Sequence, residues 1–389
     1  MTAPAQTKSA RLLSPFNAIA TLVLVIGGII FAVRFVKGLA ATTNLDNNNP
    51  WGLWIGFDVM AGVALAAGGF VTSSGVYLFG MKEYRPVVRP AILTGFLGYF
   101  LVVVGLLADL GRPWRLPYPF LISPGWTSPL FEVALCVALY LTTLLLESAP
   151  AAFEWLGWKK LRTVVGSMTI ALTILGLILS TMHQSTLGAM FMATPTKLHP
   201  LWYSPYLPVH FFISAVAVGL SMVIVEGAIS HRVFHERVEI TRTQFDAITL
   251  GLGKAAAVAL AVYFSTKVLA IALEDKWHYL GTRYGLWYLF EIAGFVVLPC
   301  FLLLVGYRER RVTLVRIAAG ITVAGVVLNR LNVAMFAFNW RLPWEARYWP
   351  HPMEIAVSLS LVMAGVVMFR WIASRMPILH EHPDWKGTH

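Results

Sequence analysis

Charge is scarce in this sequence: 13% of the 389 residues are Asp, Glu, Lys or Arg, against 58% that are hydrophobic. Soluble domains carry roughly a quarter charged residues, so a water-soluble globule is excluded and the chain reads as an integral membrane protein. Cysteine is scarcer still. Cys136 and Cys300 are the two, each inside an apolar run, with no CxxC or CxxCH spacing. That provides no thiolate set for an iron–sulfur cluster and no covalent haem attachment within the chain. Long polar connections are missing as well. The longest, about 184–207, is too short to fold as a domain of its own. Chemistry that needs a large aqueous pocket is therefore expected from a partner. The excess of 30 Lys and Arg over 19 acidic residues is spread over short loops rather than gathered into an aromatic-rich patch, which argues against nucleic acid.

What the chain has instead is apolar runs of membrane-spanning length, about 20 residues each. Ten are read, at 15–39, 52–80, 88–110, 126–148, 163–183, 208–230, 247–273, 285–307, 312–338 and 353–374. The first follows Lys8 and Arg11 like a signal sequence, but it is long and lacks a small-residue cleavage site before Arg34, so a retained helix is expected. Ten crossings put both termini on one side. That side carries about twice as many Lys and Arg in its connections as the other, and the positive-inside rule makes it the cytoplasm. The opposite loops are rich in Pro and Trp, as in "NNNPWGLW" (47–54), "GRPWRLPYPFLISPGW" (111–126), "HPLWYSPYLP" (199–208) and "NWRLPWEARYWPHP" (339–352). Such segments suit either the headgroup zone or a docking platform. Gly62, Ala66, Gly69, Ser73 and Gly75 on the second run are read as close helix packing.

Ionisable residues inside the runs need a partner, a cavity or the interface, because a charge at mid-membrane costs at least ~2.5–3.5 kcal/mol. Asp58 falls about 10 Å below the outer end of the second span and Glu132 about as deep on the fourth, at ~1.5 Å per residue. His183 is expected to end the fifth span on that side, in "ILSTMHQSTLGAMFM". Asp109, His210, Glu291 and Glu354 also fall near outer helix ends. Arg89, Glu147 and Glu226 lie in the inner half, with Tyr99 between. Arg89 and Glu147 read equally as snorkelling side chains, Glu226 as a buried ion-pair member, and Tyr99 as a packing aromatic. Arg330 in "LNRLN" needs an anion, for which an Asp or Glu on a neighbouring helix is the plain explanation. An imidazole with carboxylates at a membrane edge suits chemistry that exchanges protons with a lipid-soluble substrate, and quinone/quinol interconversion is such chemistry. His183, Glu132 and Asp58 are the candidates for it. Paired haem-ligating histidines are disfavoured, since only His183 and His210 approach matched depth. A secondary transporter is the rival reading, because intramembrane charges also mark ion routes.

Eight motifs in order, "PWGLWIGFD" (50–58), "RPVVRPA" (85–91), "GYFL" (98–101), "DLGRPW" (109–114), "PLFEVALC" (129–136), "TMHQSTLG" (181–188), "HPLW" (199–202) and "EGAIS" (226–230), resemble the NrfD/polysulfide-reductase membrane-subunit superfamily. The branch most resembled is HybB-like, that of the hydrogenase-2 integral membrane subunit. The resemblance runs over about residues 12–375 and is looser near the last span. It implies an all-α membrane protein of about ten transmembrane helices in a single polytopic domain. Spans two to five (52–183) and six to nine (208–338) would form two four-helix bundles, flanked by 15–39 and 353–374. It further implies a haem-free, quinone-reactive subunit of a bacterial or archaeal cytoplasmic membrane. Its quinone would be menaquinone or ubiquinone. Its expected partner is a periplasmic ferredoxin-like iron–sulfur subunit and, through it, a hydrogenase, a molybdopterin-type enzyme or a multihaem cytochrome. Carried over by motif, Glu132, His183 and Asp58 are the expected catalytic group, joined by Asp109 for quinone binding. Tyr99, Glu226 and Arg89 are the expected proton path, and no metal is expected in this chain.

Overall fold

The computed structural model describes residues 14–380 apart from 236, 238 and 239. Lys8 and Arg11 lie outside them. Ten helices are long and apolar enough to cross a membrane: α1 Pro15–Lys37, α2 Trp54–Tyr77, α3 Lys82–Asp109, α4 Pro129–Leu156, α5 Thr169–Ala193, α6 Leu207–Val233, α7 Arg242–Leu273, α8 Arg283–Arg308, α9 Val312–Phe336 and α10 Pro352–Ala373. Their ends follow local chemistry. Ser14 accepts from the Asn17 amide ahead of Pro15, and Thr241 and His351 each close a capping box, with Gln244 and Glu354. Gly38 and Gly157 stop α1 and α4 at φ of 88° and 73°, where a side chain would be strained.

Consecutive spans pack on one another from α2 to α9, α1 lies along α10, and α10 also meets α3. The α2 helix is the hub, touching α3, α5, α6, α9 and α10. Glycine makes this close approach feasible. A Cβ on Gly68 would stand 3.0 Å from the Gly219 carbonyl oxygen, and one on Gly219 would stand 2.8 Å from the Gly68 nitrogen. The outer half of α2, Trp54–Ala61, is wound as a π-helix, as are Ala293–Val297 in α8 and Asn332–Phe336 in α9. Such segments occur often at functional sites.

Three expectations are revised. The fifth span does not end at His183 but begins at Thr169 and runs ten residues further, to Ala193. Its polar stretch stays helical because Gln184 and Thr186 turn inward and bond to α2 and α4. The third span starts near Lys82 rather than at 88, because Arg89 is neutralised inside the protein. Arg330, finally, has no carboxylate bonded directly to it. Its guanidinium donates to Asn329 Oδ1, the Phe211 carbonyl and Ser214 Oγ, and lies 3.7 Å from the Phe211 ring centroid. Asn329 passes the pairing on by donating to Glu291 at 2.6 Å.

Candidate functional site

His183 is fully buried at the middle of α5. Its Nδ1 lies 2.6 Å from the Leu179 carbonyl, which can only accept, so Nδ1 carries the proton and neutral Nε2 is the acceptor. The Tyr99 hydroxyl on α3, also fully buried, lies 2.5 Å from that nitrogen and therefore donates to it. Tyr140 of α4 closes the group, its ring 4.7 Å from Tyr99 and 5.5 Å from His183. Gln184 donates at 3.0 Å to the Val63 carbonyl of α2, and its amide nitrogen is 3.5 Å from the Tyr99 hydroxyl.

The remaining expected residues fall into two sets around this pair. One turn further along α5, Thr186 donates at 2.8 Å to Glu132 of α4. Five residues back on α3, about 7–8 Å along the axis, Thr94 donates at 2.6 Å to Glu226 of α6. Glu226, Tyr99, His183 and Glu132 thus form a staggered series between α3, α4, α5 and α6. Arg89 is not part of it. Arg89 forms a two-pronged ion pair with Glu154 of α4, with both N···O distances 2.9 Å, and Arg162 reaches the same carboxylate at 3.2 Å. That geometry ties α3 to α4.

Asp58 stands apart from His183. It accepts at 2.6 Å from Ser358 of α10, and a Cβ on Gly105 of α3 would lie 2.9 Å from the Asp58 Cβ, so glycine there leaves room for the carboxylate. Asp109, Glu354 and Arg34 are its electrostatic neighbourhood. Arg34, buried in α1, donates to the Ala108 and Leu110 carbonyls and caps the C-terminus of α3. Glu354 takes hydrogen bonds from Tyr348 and from the Asn44 and His351 amides.

An apolar cavity of about 630 Å³ links the two sets. Asp58 and Ser358's helix border one end, Glu226 and Thr94 the other, and Leu97, Gly98, Leu101, Val362 and Val366 of α3 and α10 form its walls. Gly98 and Val102, beside Tyr99 on α3, line it too, so the Tyr99–His183 pair lies behind this wall. Neither Glu132 nor His183 borders it. Thr94, Gln184, Thr186 and Ser358 were not singled out in the sequence. Only Gln184 and Thr186 carried a signal, as polar residues crowded beside His183 in an apolar run.

Outside the spans, His199 sits in the 194–206 connection, stacked 4.6 Å from Tyr284 and edge-on to Trp202, Tyr279 and Trp340. Burial and nearby Lys276 push its pKa down to about 4. Burial and the bond to Glu354 raise the Tyr348 phenol well above its usual range. Among the described residues no three His, Cys, Asp or Glu side chains cluster as a metal site.

Comparison with known proteins agrees with this architecture. The family model for polysulphide reductase NrfD matches residues 41–370. The chain is 55% identical to a protein of Nitratidesulfovibrio vulgaris (strain Hildenborough), covering 97% of this chain and 98% of that protein. It is 30% identical to the probable Ni/Fe-hydrogenase 2 b-type cytochrome subunit of Escherichia coli K12, over 92% of this chain and 90% of the relative. It is 25% identical to the menaquinone reductase integral membrane subunit of N. vulgaris Hildenborough, over 92% and 90%. With most of its length matched, the chain is a multi-pass membrane protein that belongs to the NrfD polysulphide reductase family.

Proposed function

We propose that this protein is the quinone-reactive membrane anchor of a respiratory oxidoreductase, passing electrons between a partner's redox centre and a quinone. Relatives named as membrane subunits of a hydrogenase, a menaquinone reductase and a selenate reductase support the anchor role. The observation that carries the quinone reading is the apolar, membrane-level cavity ending on Asp58. A flat apolar ring with two carbonyl oxygens fits such a space, with its hydrogen-bond partners at the end rather than along the walls.

Reducing a quinone consumes two electrons and two protons. The electrons arrive from a partner at the outer, Trp-rich loops, where Trp114, Trp126 and Trp344 are exposed. In this reading the partner is a periplasmic iron–sulfur subunit carrying a catalytic or multihaem protein, and both termini of the chain are cytoplasmic. Asp58, kept in place by Ser358, exchanges a proton with the near carbonyl, and Asp109 sits within electrostatic reach. The Tyr99–His183 pair holds a transferable proton behind the wall, and Glu132 and Glu226 flank it through Thr186 and Thr94. If that series conducts, reduction near the outer side draws protons from the inside, worth ~2.3 kcal/mol per charge per 100 mV. A haem-free chain fits the histidine chemistry, since both ring nitrogens of His183 are already engaged by Leu179 and Tyr99.

The test is copurification in mild detergent with identification of the partners and extraction of bound quinone, for wild type and His183→Ala. Redox partners with quinone in the wild type, and loss of quinone-linked turnover in the variant, are the expected result. A protein isolated without a redox partner or quinone would favour the transporter reading.

A further inference from the structure

At the end of the molecule shared by the starts of α3 and α7 and the end of α6, a second cavity of about 420 Å³ opens. Three cationic side chains of the α2–α3 turn, Lys82, Arg85 and Arg89, line it together with His231 of α6. Arg89 is already paired with Glu154. Arg85 is not: its Nη2 is buried and has no acceptor. The same holds for Nε2 of His231, whose ring lies 5.0 Å from that of Phe245. Two buried nitrogens facing one cavity without partners are uncommon, because such groups are normally hydrogen-bonded. The acidic residues lining it do not fill the need. Glu83 is exposed on the turn, and Glu226 is engaged by Thr94 at the boundary with the quinone cavity. The rest of the wall is apolar, including Val87, Val223, Ile240, Phe245 and Leu379.

We infer that this cavity binds the phosphate of an anionic phospholipid, with Arg85 and His231 donating to phosphate oxygens, Lys82 adding charge at the turn, and the apolar wall taking the proximal acyl chain. Basic pockets between transmembrane helices are suited to anionic headgroups, and guanidinium geometry matches phosphate oxygens. The inference stands independently of the quinone reading. Inorganic phosphate shares the same chemistry and differs in lacking any use for the apolar wall.

The experiment is native mass spectrometry of the full chain released from detergent, with phosphatidylglycerol, phosphatidylcholine of the same acyl chains, and inorganic phosphate as probes. One phosphatidylglycerol is expected to stay bound per chain, preferred at least tenfold over phosphatidylcholine. Retention should fall at least tenfold in Arg85→Gln and in His231→Leu and persist in Arg85→Lys, which keeps the charge should Arg85→Gln not fold. Arg115→Gln, in an outer loop, serves as the unaffected control. Arg85-dependent retention of inorganic phosphate without a preference for phosphatidylglycerol would assign the phosphate site to the free ion and overturn the lipid. Equal retention by wild type and Arg85→Gln, or no retention of either probe by wild type, would overturn the site altogether.

Discussion

The Tyr99–His183 hydrogen bond isolates a proton-holding pair from water and lipid alike. Replacing Tyr99 with Phe keeps the ring packed against Tyr140 and removes only the donor to Nε2. A lost buried hydrogen bond costs about 1 kcal/mol in stability, whereas loss of a positioned proton donor lowers rate by about 10²-fold or more. Tyr99→Phe is therefore expected to remain folded and to lose roughly 10²-fold in quinone-linked turnover in isolated membranes. Turnover equal to wild type would leave the pair a packing feature. A second residue-level prediction concerns His199, outside the spans. Its folded pKa near 4 lies below the ordinary value of 6.5, so between these values the unfolded chain binds the proton first. The stability its neutral ring contributes above pH 6.5 is lost as pH falls towards 4, by about 1–3 kcal/mol. Melting temperature in detergent should drop over that window in wild type and less so in His199→Phe; parallel profiles would refute the assignment. At this scale the sequence was informative about which side chains are out of place in an apolar run, His183, Tyr99 and Glu226 among them. It was silent about their partners, since Thr94 and Ser358 are ordinary helix residues until a neighbouring carboxylate selects them.

Helices in this protein are held at one end by ion pairs and at mid-depth by small residues. The Glu154 side chain is fully buried and serves both Arg89 and Arg162, whose side chains are 23% and 5% exposed. Removing one member of a buried charge group leaves the others unpaired, at a cost of about 3–5 kcal/mol. Glu154→Gln should therefore lower the detergent melting temperature clearly. Glu309→Gln, at a solvent-exposed pair with Arg311, should change stability by under about 1 kcal/mol. Comparable shifts for the two would mean the buried group contributes no more than a surface one. Span positions were readable from hydropathy alone, because ten runs of sufficient length recur. Span ends were not. Arg85 and Arg89 looked like loop residues until Glu154 balanced one of them, and the stretch after His183 looked like a helix end until Gln184 and Thr186 found inward acceptors. The π-wound segment carrying Asp58 had no signature either, for its residues are as apolar as those of an α-helical span.

For the whole molecule the question is orientation, which decides from which side electrons and protons reach the cavity. With ten crossings the described ends fall on one side, together with the turns bearing Lys82 and Arg85, Lys159 and Lys160, Arg232 and Arg237, and Arg308, Arg310 and Arg311. The opposite connections are poorer in Lys and Arg and carry the exposed tryptophans. Because positive charge in short connections resists translocation, the Lys- and Arg-rich side is expected to be cytoplasmic and the tryptophan side periplasmic. The anionic-lipid cavity would then face the leaflet where basic residues gain most from negative headgroups. The end of the quinone cavity bordered by Asp58 would face the partner's redox centre, and the Glu226 end would face the cytoplasm. Reporter fusions check this directly. Alkaline phosphatase inserted in the 111–125 connection should be active and a fluorescent protein there dark, while fusions after residue 380 should give the converse. The reverse pattern would place Asp58 on the cytoplasmic side. Electrons would then have to arrive from a cytoplasmic partner, and Glu226 could not draw protons from the inside.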